Sequence, residues 1–160
     1  MSASRPEADI ARGIIRHIMR LVLDTNILVA GLASRRGASH GLLRHVLDRR
    51  LRMLAAPALW LEYESMLRRA EIRGLHGLSD AQIEDFLDAL AVLMEPVNMN
   101  YLWRPQLNDP KDEMVLEIAL NAGADALVTF NLRDFRAAAQ RFALRLLTPA
   151  DCLAMLEKQP

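Results

Sequence analysis

Asp24-Thr25-Asn26 stands directly behind the apolar run Leu21-Val22-Leu23, so a carboxylate, a hydroxyl and an amide follow what reads as a short buried strand. Further along, Asn108-Asp109-Pro110-Lys111-Asp112-Glu113 crowds acids at the start of a helix running to Ala122. The apolar run Ala126-Leu127-Val128 then ends in Thr129, with Asn131 and Asp134 just beyond. In a parallel α/β sheet, ligands bind in the crevice outside the carboxyl ends of the strands. Asp24 and Thr129 lie at two such ends and Asp112 at a helix start, so all three can converge on one crevice. Carboxylates with hydroxyl and amide helpers suit Mg²⁺ or Mn²⁺ rather than zinc. An acidic, metal-holding pocket beside a basic surface is what metal-assisted phosphodiester hydrolysis requires.

Each piece has a plainer reading. Asp24 or Asn26 can make an Asx-turn or cap the next helix. Asp109 is a good N-cap, Pro110 is at home at N1, and Asp112 complements the helix dipole. Capping needs only one of these acids, however, and carboxylates packed into one turn repel unless water screens them or a cation sits between them. Glu62 follows the second strand by a little over one turn of the helix that Pro57 opens, so its side chain can return toward Asp24. Glu64 is rotated from it by roughly 200°, so both cannot face one site. A surface helical Glu commonly just pairs, and Arg68 and Arg69 offer partners for that.

The elements that must position these groups follow from periodicity. Strands are expected at Arg20–Leu23, Met53–Ala56, Glu95–Val97, Asp125–Thr129 and Arg145–Leu147, separated by helical segments. Among the helices, Leu42, Leu43, Val46 and Leu47 mark one behind a cap at Ser39. Ile83, Phe86, Leu87, Leu90 and Leu93 mark another, opened by Ser79. Gly123 ends the helix of the acid cluster. Strands alternating with helices indicate an α/β/α sandwich with a parallel sheet of about five strands.

The chain has 160 residues, enough for one domain with its own core, and 52% of them are hydrophobic. Twenty basic and twenty acidic side chains give a net charge of +0, so attraction to nucleic acid must come from a local patch. Arg35, Arg36, Arg44, Arg49, Arg50 and Arg52 supply the most basic region, either as a solvated face or as phosphate contacts. Tyr101, Trp103 and Arg104 are expected on the surface, where aromatic and Arg side chains can stack on single-stranded bases. The single cysteine, Cys152, excludes an internal disulfide and fits a reducing cytosol. There is no membrane-length apolar run, and Met1–Arg20 lacks a signal-peptide core, so a cytoplasmic protein is expected. Residues 1–18 read as a flexible or short helical extension (a helix over Ala8–His17), with Met19 as an alternative start, and residues 19–157 as one nuclease-like domain.

Four histidines show no paired ligand spacing, no serine or cysteine nucleophile has a base, and no Walker-type loop occurs. The order of Leu23-Asp24-Thr25-Asn26, Pro57 with Leu61-Glu62-Tyr63, Asn108-Asp109-Pro110-Lys111-Asp112 and Ala124-Asp125-Ala126-Leu127-Val128-Thr129-Phe130-Asn131 resembles the PIN-domain family, especially its VapC-like ribonuclease toxins. The resemblance covers about Met19–Leu156. It implies a Mg²⁺- or Mn²⁺-dependent endoribonuclease acting on single-stranded or structured RNA and leaving 3′-hydroxyl and 5′-phosphate ends. It also implies a homodimer and a cognate antitoxin protein that inserts an Arg or a helix into the acidic pocket. By position, Asp24, Glu62 and Asp112 match the three catalytic, metal-binding acids, with Asp109 a near neighbour and Asn26 and Thr129 in support. One departure stands out: the family often has an aspartate where this chain has Asn131. Either Asp134 supplies the missing carboxylate or a second metal position is weak.

The alternative is a non-catalytic RNA- or protein-binding module on the same fold. Phosphoacceptor domains fit less well. Receiver-like domains need paired acids at the first strand end and a Lys after the last, and haloacid-dehalogenase-like enzymes need Asp-x-Asp where Asp24-Thr25-Asn26 ends in an amide.

Overall fold

The computed structural model describes residues 17–159. The helix expected over Ala8–His17, and nearly all of the extension 1–18, therefore lie outside the described residues. Five strands, β1 (Arg20–Leu23), β2 (Arg52–Ala55), β3 (Glu95–Pro96), β4 (Ala126–Val128) and β5 (Leu146–Leu147), form one sheet in the order β3-β2-β1-β4-β5. Every pairing is parallel, with Leu21 opposite both Met53 and Ala126. Val22, Leu23, Leu54, Leu127 and Val128 are fully buried because helices cover both faces.

Eight helices are described: α1 (Thr25–Ala33), α2 (Ala38–Leu47), α3 (Pro57–Leu67), α4 (Ala70–His76), α5 (Asp80–Leu93), α6 (Pro110–Ala122), α7 (Leu132–Arg141) and α8 (Pro149–Glu157). The chain moves outward from β1 to β2 and β3, then jumps back past β1 to β4 and β5. Right-handed crossovers running in opposite directions must place their helices on opposite faces. Accordingly α2 packs with α5 and α8, whereas α6 lies against β1, β2 and β4. The reversal of direction falls between β1 and β4, which is the topological switch point where such sheets open a crevice.

Local sequence explains most boundaries. Ser79 and Gln82 form a capping box at the start of α5, and Thr148 caps α8 through the Asp151 N–H. Gly123 takes a left-handed conformation (φ 58°) to close α6. The cap of α2 is Gly37, not Ser39, which lies one residue inside the helix and is buried. Helix α4 was not expected. It ends in Gly77 at φ 67°, and His76 folds back to bond the Leu67 carbonyl and the Leu78 N–H, a structural use of that imidazole.

Candidate active site at the switch point

The backbone N–H of Asp24 donates to the Val128 carbonyl at 3.0 Å, so the first acid continues the β1–β4 pairing by one residue. From there its side chain faces the crevice. One carboxylate oxygen accepts from Thr129 Oγ1 at 2.8 Å and the other from the Thr25 N–H at 2.8 Å. Thr129 is fully buried, and its hydroxyl also accepts the Asn131 N–H at 3.0 Å. This hydroxyl thus spans the switch point and fixes Asp24 to the end of β4. Asp24 does stand at the N-cap of α1, but its side chain meets only the N–H of N1, not those of N2 or N3 that a capping side chain normally satisfies. Asn26 is exposed in the first turn of α1 and its side chain bonds none of the acids among the described residues.

Beneath this edge lies a support that the spacing argument did not single out. Tyr63 of α3 is fully buried and its hydroxyl donates to the Leu23 carbonyl, immediately before Asp24. Burial, then the Asp24 charge, pushes its phenol well above the usual range. The motif Leu61-Glu62-Tyr63 contains it, and its helical offset of one residue from Glu62 was the available signal.

The third acid arrives on α6. Asp109 caps that helix, accepting the Lys111 N–H at 2.8 Å, and Pro110 occupies its first turn as expected. The segment leading into it is strapped along α6 by three side chains spaced one turn apart. Glu113 accepts the Gln106 and Leu107 N–H groups at 2.8 and 2.6 Å. Glu117 accepts Arg104 Nε at 2.6 Å, and Asn121 accepts the Asn100 and Tyr101 N–H groups at 2.9 Å each. Trp103 packs edge-on against Phe142 within this strap, while Tyr101 stays exposed.

Asp112 carries the clearest electrostatic signature in the molecule. Partial burial first, then the charges of Asp109, Asp24 and Asp134, raise its pKa from 3.8 to about 6. Asp24 is also raised. Burial is the main cause, the Thr129 and Thr25 hydrogen bonds oppose it, and Asp109 adds to it. Among the described residues no Lys, Arg or His pairs with any of these four aspartates. The structure therefore gathers Asp24, Asp109, Asp112 and Asp134 into one uncompensated group.

Glu62 reaches toward the start of α6 and is paired with two cations, one of them the Arg69 that the sequence offered. Its carboxylate accepts Lys111 Nζ at 3.0 Å and lies 3.7 Å from an Arg69 nitrogen. Lys111 precedes Asp112, so Glu62 reaches the right end of α6, yet it is joined there to a cation. Among the described residues no three His, Cys, Asp or Glu side chains enclose a ready metal cage. Asn131 turns its amide nitrogen to Asp134 at 2.8 Å, coupling the two candidates for the departed acid.

The basic residues divide between two edges. Arg35 and Arg36 are exposed on the loop between α1 and α2, whose residues Ser34 and Gly37 share a recess with Phe130 at the crevice edge. Arg49 and Arg52 instead line a hollow with Ile18, Leu51 and Leu93, where β1 and β2 begin. Helix α2 separates the two groups by about 15 Å at 1.5 Å per residue, and Arg44 is exposed on its last turn. They do not form one surface.

The architecture is thus that of a parallel α/β protein with an acidic crevice at its switch point. The sequence profile of the PIN domain matches residues 20–133, most of the chain, and the protein belongs to that family. No curated protein matches the sequence significantly. Among solved structures, a chain in the crystal structure of VapBC2 from Rickettsia felis bound to a DNA fragment from their promoter superposes with a TM-score of 0.55. It is 15% identical, over 81% of this chain and 98% of that one. That likeness is one of fold. Among the described residues no helix is long and apolar enough to cross a membrane.

Proposed function

We propose that the protein is a metal-dependent endoribonuclease, the toxin of a toxin–antitoxin pair, working in the cytoplasm. The observation that carries this reading is the uncompensated group of four aspartates at the switch point, with Asp112 pushed up to about 6 first by partial burial and then by its acidic neighbours. Such a group fits a hard divalent cation by its chemistry: oxygen donors, excess negative charge and no basic partner. Asp24 and Asp112 would hold Mg²⁺ or Mn²⁺, joined by Glu62 once its bond to Lys111 is exchanged, with Asp109, Asp134 and Asn131 at the rim. When bound, such an ion supplies positive charge for the scissile phosphate and lowers the pKa of a water.

The protein's own groups do the rest. Thr129 and the Thr25 N–H fix both oxygens of Asp24, and Tyr63 fixes the strand end that carries it. Lys111, released from Glu62, lies beside the crevice as a cation for an RNA phosphate. Arg35 and Arg36 extend that positive rim. Residues 19–157 constitute the catalytic domain and 1–18 an extension. The likeness to a chain of VapBC2 bound to a DNA fragment from their promoter favours an antitoxin as the partner of this chain, and the homodimer rests on the resemblance to VapC-like toxins alone.

The test is cleavage of a mixed RNA pool in Mn²⁺ with and without chelator. Cuts that vanish with chelator support the nuclease. RNA binding without cuts in Mn²⁺ returns the protein to the binding-module reading, in which the Glu62–Lys111 pair is permanent.

A further inference from the structure

Phe130 is 55% exposed, although it sits between Thr129, which fixes Asp24, and Asn131, which bonds Asp134. The other large side chains next to the crevice, Tyr63 and Phe135, are fully buried in the core. An aromatic ring left open at this point has room beside it. It forms one wall of a recess of about 250 Å³ whose other walls include Ala30, Gly37, Ala38 and Pro149. These are small or flat groups. The space equals roughly eight waters at about 30 Å³ each, the scale of one planar heterocycle.

The surroundings of the recess are charged in a telling order. Phe130 ties one end of the recess to the acids, since its neighbours Thr129 and Asn131 bond Asp24 and Asp134. At the other, Arg35 and Arg36 are exposed on the loop whose ends, Ser34 and Gly37, line the recess itself. Gly37 also leaves α2 without a side-chain cap, so the first N–H groups of that helix are available. Gly31 lets α1 and α2 approach closely, since a Cβ there would lie 2.5 Å from Leu43 Cδ1, and this fixes the loop in position. With a divalent cation held in the acidic crevice, the order cation, aromatic wall, arginine rim matches a ligand that presents a phosphate, then a flat ring, then another phosphate.

We infer that the Phe130 recess is a base-stacking subsite that seats the nucleobase adjoining the scissile phosphate of single-stranded RNA. This rests on the ribonuclease reading and deepens it. A duplex keeps its bases stacked on each other and offers no free ring to this wall, so the subsite selects unpaired RNA. Base–aromatic stacking contributes about 1–3 kcal/mol per base, which corresponds to a loss of about 5- to 150-fold when the ring is removed.

The experiment uses the full chain in Mn²⁺ with a single-stranded oligoribonucleotide carrying 2-aminopurine at each position in turn and non-hydrolysable phosphate analogues in its linkages, so that nothing is cut. With the native protein the fluorescence at one position should be quenched by stacking. Phe130→Leu should relieve that quench and weaken binding by about 5- to 150-fold, and Phe130→Tyr should restore both. On the cleavable RNA in Mn²⁺, kcat/KM of Phe130→Leu should fall by a similar factor while its melting temperature is unchanged. Native-like quenching and cleavage in Phe130→Leu overturn the subsite and leave the nuclease reading intact. Unchanged RNA behaviour with lost binding of a protein partner also overturns it, assigning the recess to that partner. Quenching at Phe130 without cleavage by the native protein keeps the subsite and removes the nuclease. No quenching at any position removes the subsite whether or not RNA is cut.

Discussion

Raising the pH from 5 to 7.5 in chelator should destabilise this fold, the reverse of what most carboxylates do. Asp112 has its pKa raised from 3.8 to about 6, first by burial and then by Asp109, Asp24 and Asp134. The folded state therefore holds a proton that the unfolded state has released, so stability is lost as the pH climbs and the loss is complete above the folded pKa. Part of that loss falls below pH 5; from pH 5 to the folded pKa of about 6 it amounts to about 1.4 kcal/mol. Asp112 keeps contact with solvent, and water screens its repulsions, so about 1 kcal/mol is the working figure. Asp24 is shifted in the same direction and adds to the slope. For a protein of this size 1 kcal/mol moves Tm by about 2–4 °C. The assay is thermal unfolding at half-unit pH steps, comparing the native protein with Asp112→Asn, since the difference removes every other titrating group. With Mn²⁺ present the slope should reverse, because binding needs deprotonated ligands and strengthens as the pH rises. Saturation at 100 times Kd adds about 2.7 kcal/mol. Identical pH slopes for the native protein and Asp112→Asn in chelator would refute the reasoning.

Three further outcomes follow from contacts at the crevice. Tyr63→Phe removes a buried hydrogen bond to the Leu23 carbonyl. It should cost about 1–3 kcal/mol in denaturant unfolding and lower kcat more than it raises KM, since Asp24 loses its support. Asn131→Asp places a second charge where a 2.8 Å hydrogen bond to Asp134 now exists. Its Tm should fall in chelator and recover in Mn²⁺, with RNA cleavage equal to or above the native rate. Neutralising Arg35 and Arg36 together should reduce the slope of log affinity for RNA against log salt by up to about 2. Neutralising Arg49 and Arg52, at the opposite edge, should leave that slope unchanged.

The strands were legible because burial on both faces makes them apolar runs, and even the two-residue β3 and β5 were marked by their position between helices. Helix α4 was not, because Arg73, Gly74 and the exposed Leu75 break any apolar stripe. It is defined instead by tertiary bonds of His76 and by the left-handed Gly77. Asp24 was visible because it ends an apolar run at a strand end, and Asp112 because carboxylates packed into one turn repel and capping needs only one of them. Partners were harder to foresee. Whether Glu62 faces a metal or Lys111 depends on how α3 and α6 pack, and sequence spacing carries no measure of that. The basic cluster misled for a related reason: Arg35 and Arg49 are close in sequence, but α2 is straight and carries them to opposite edges of the sheet. Phe130 lay just beyond the expected strand Asp125–Thr129, and nothing in the pattern marked its ring as exposed, since exposure there depends on how the loop after β4 leaves the sheet.

The central claim, that Asp24 is a metal-holding carboxylate and not a turn-former, is tested by the rate of RNA cleavage in Mn²⁺ by Asp24→Asn. Asn caps about as well as Asp, and its amide retains one oxygen to accept from Thr129 or Thr25, so the variant should fold with near-native Tm. Its lost charge should abolish cleavage, at least 100-fold on the scale of a removed electrostatic group in catalysis. Cleavage by Asp24→Asn at the native rate would contradict the account.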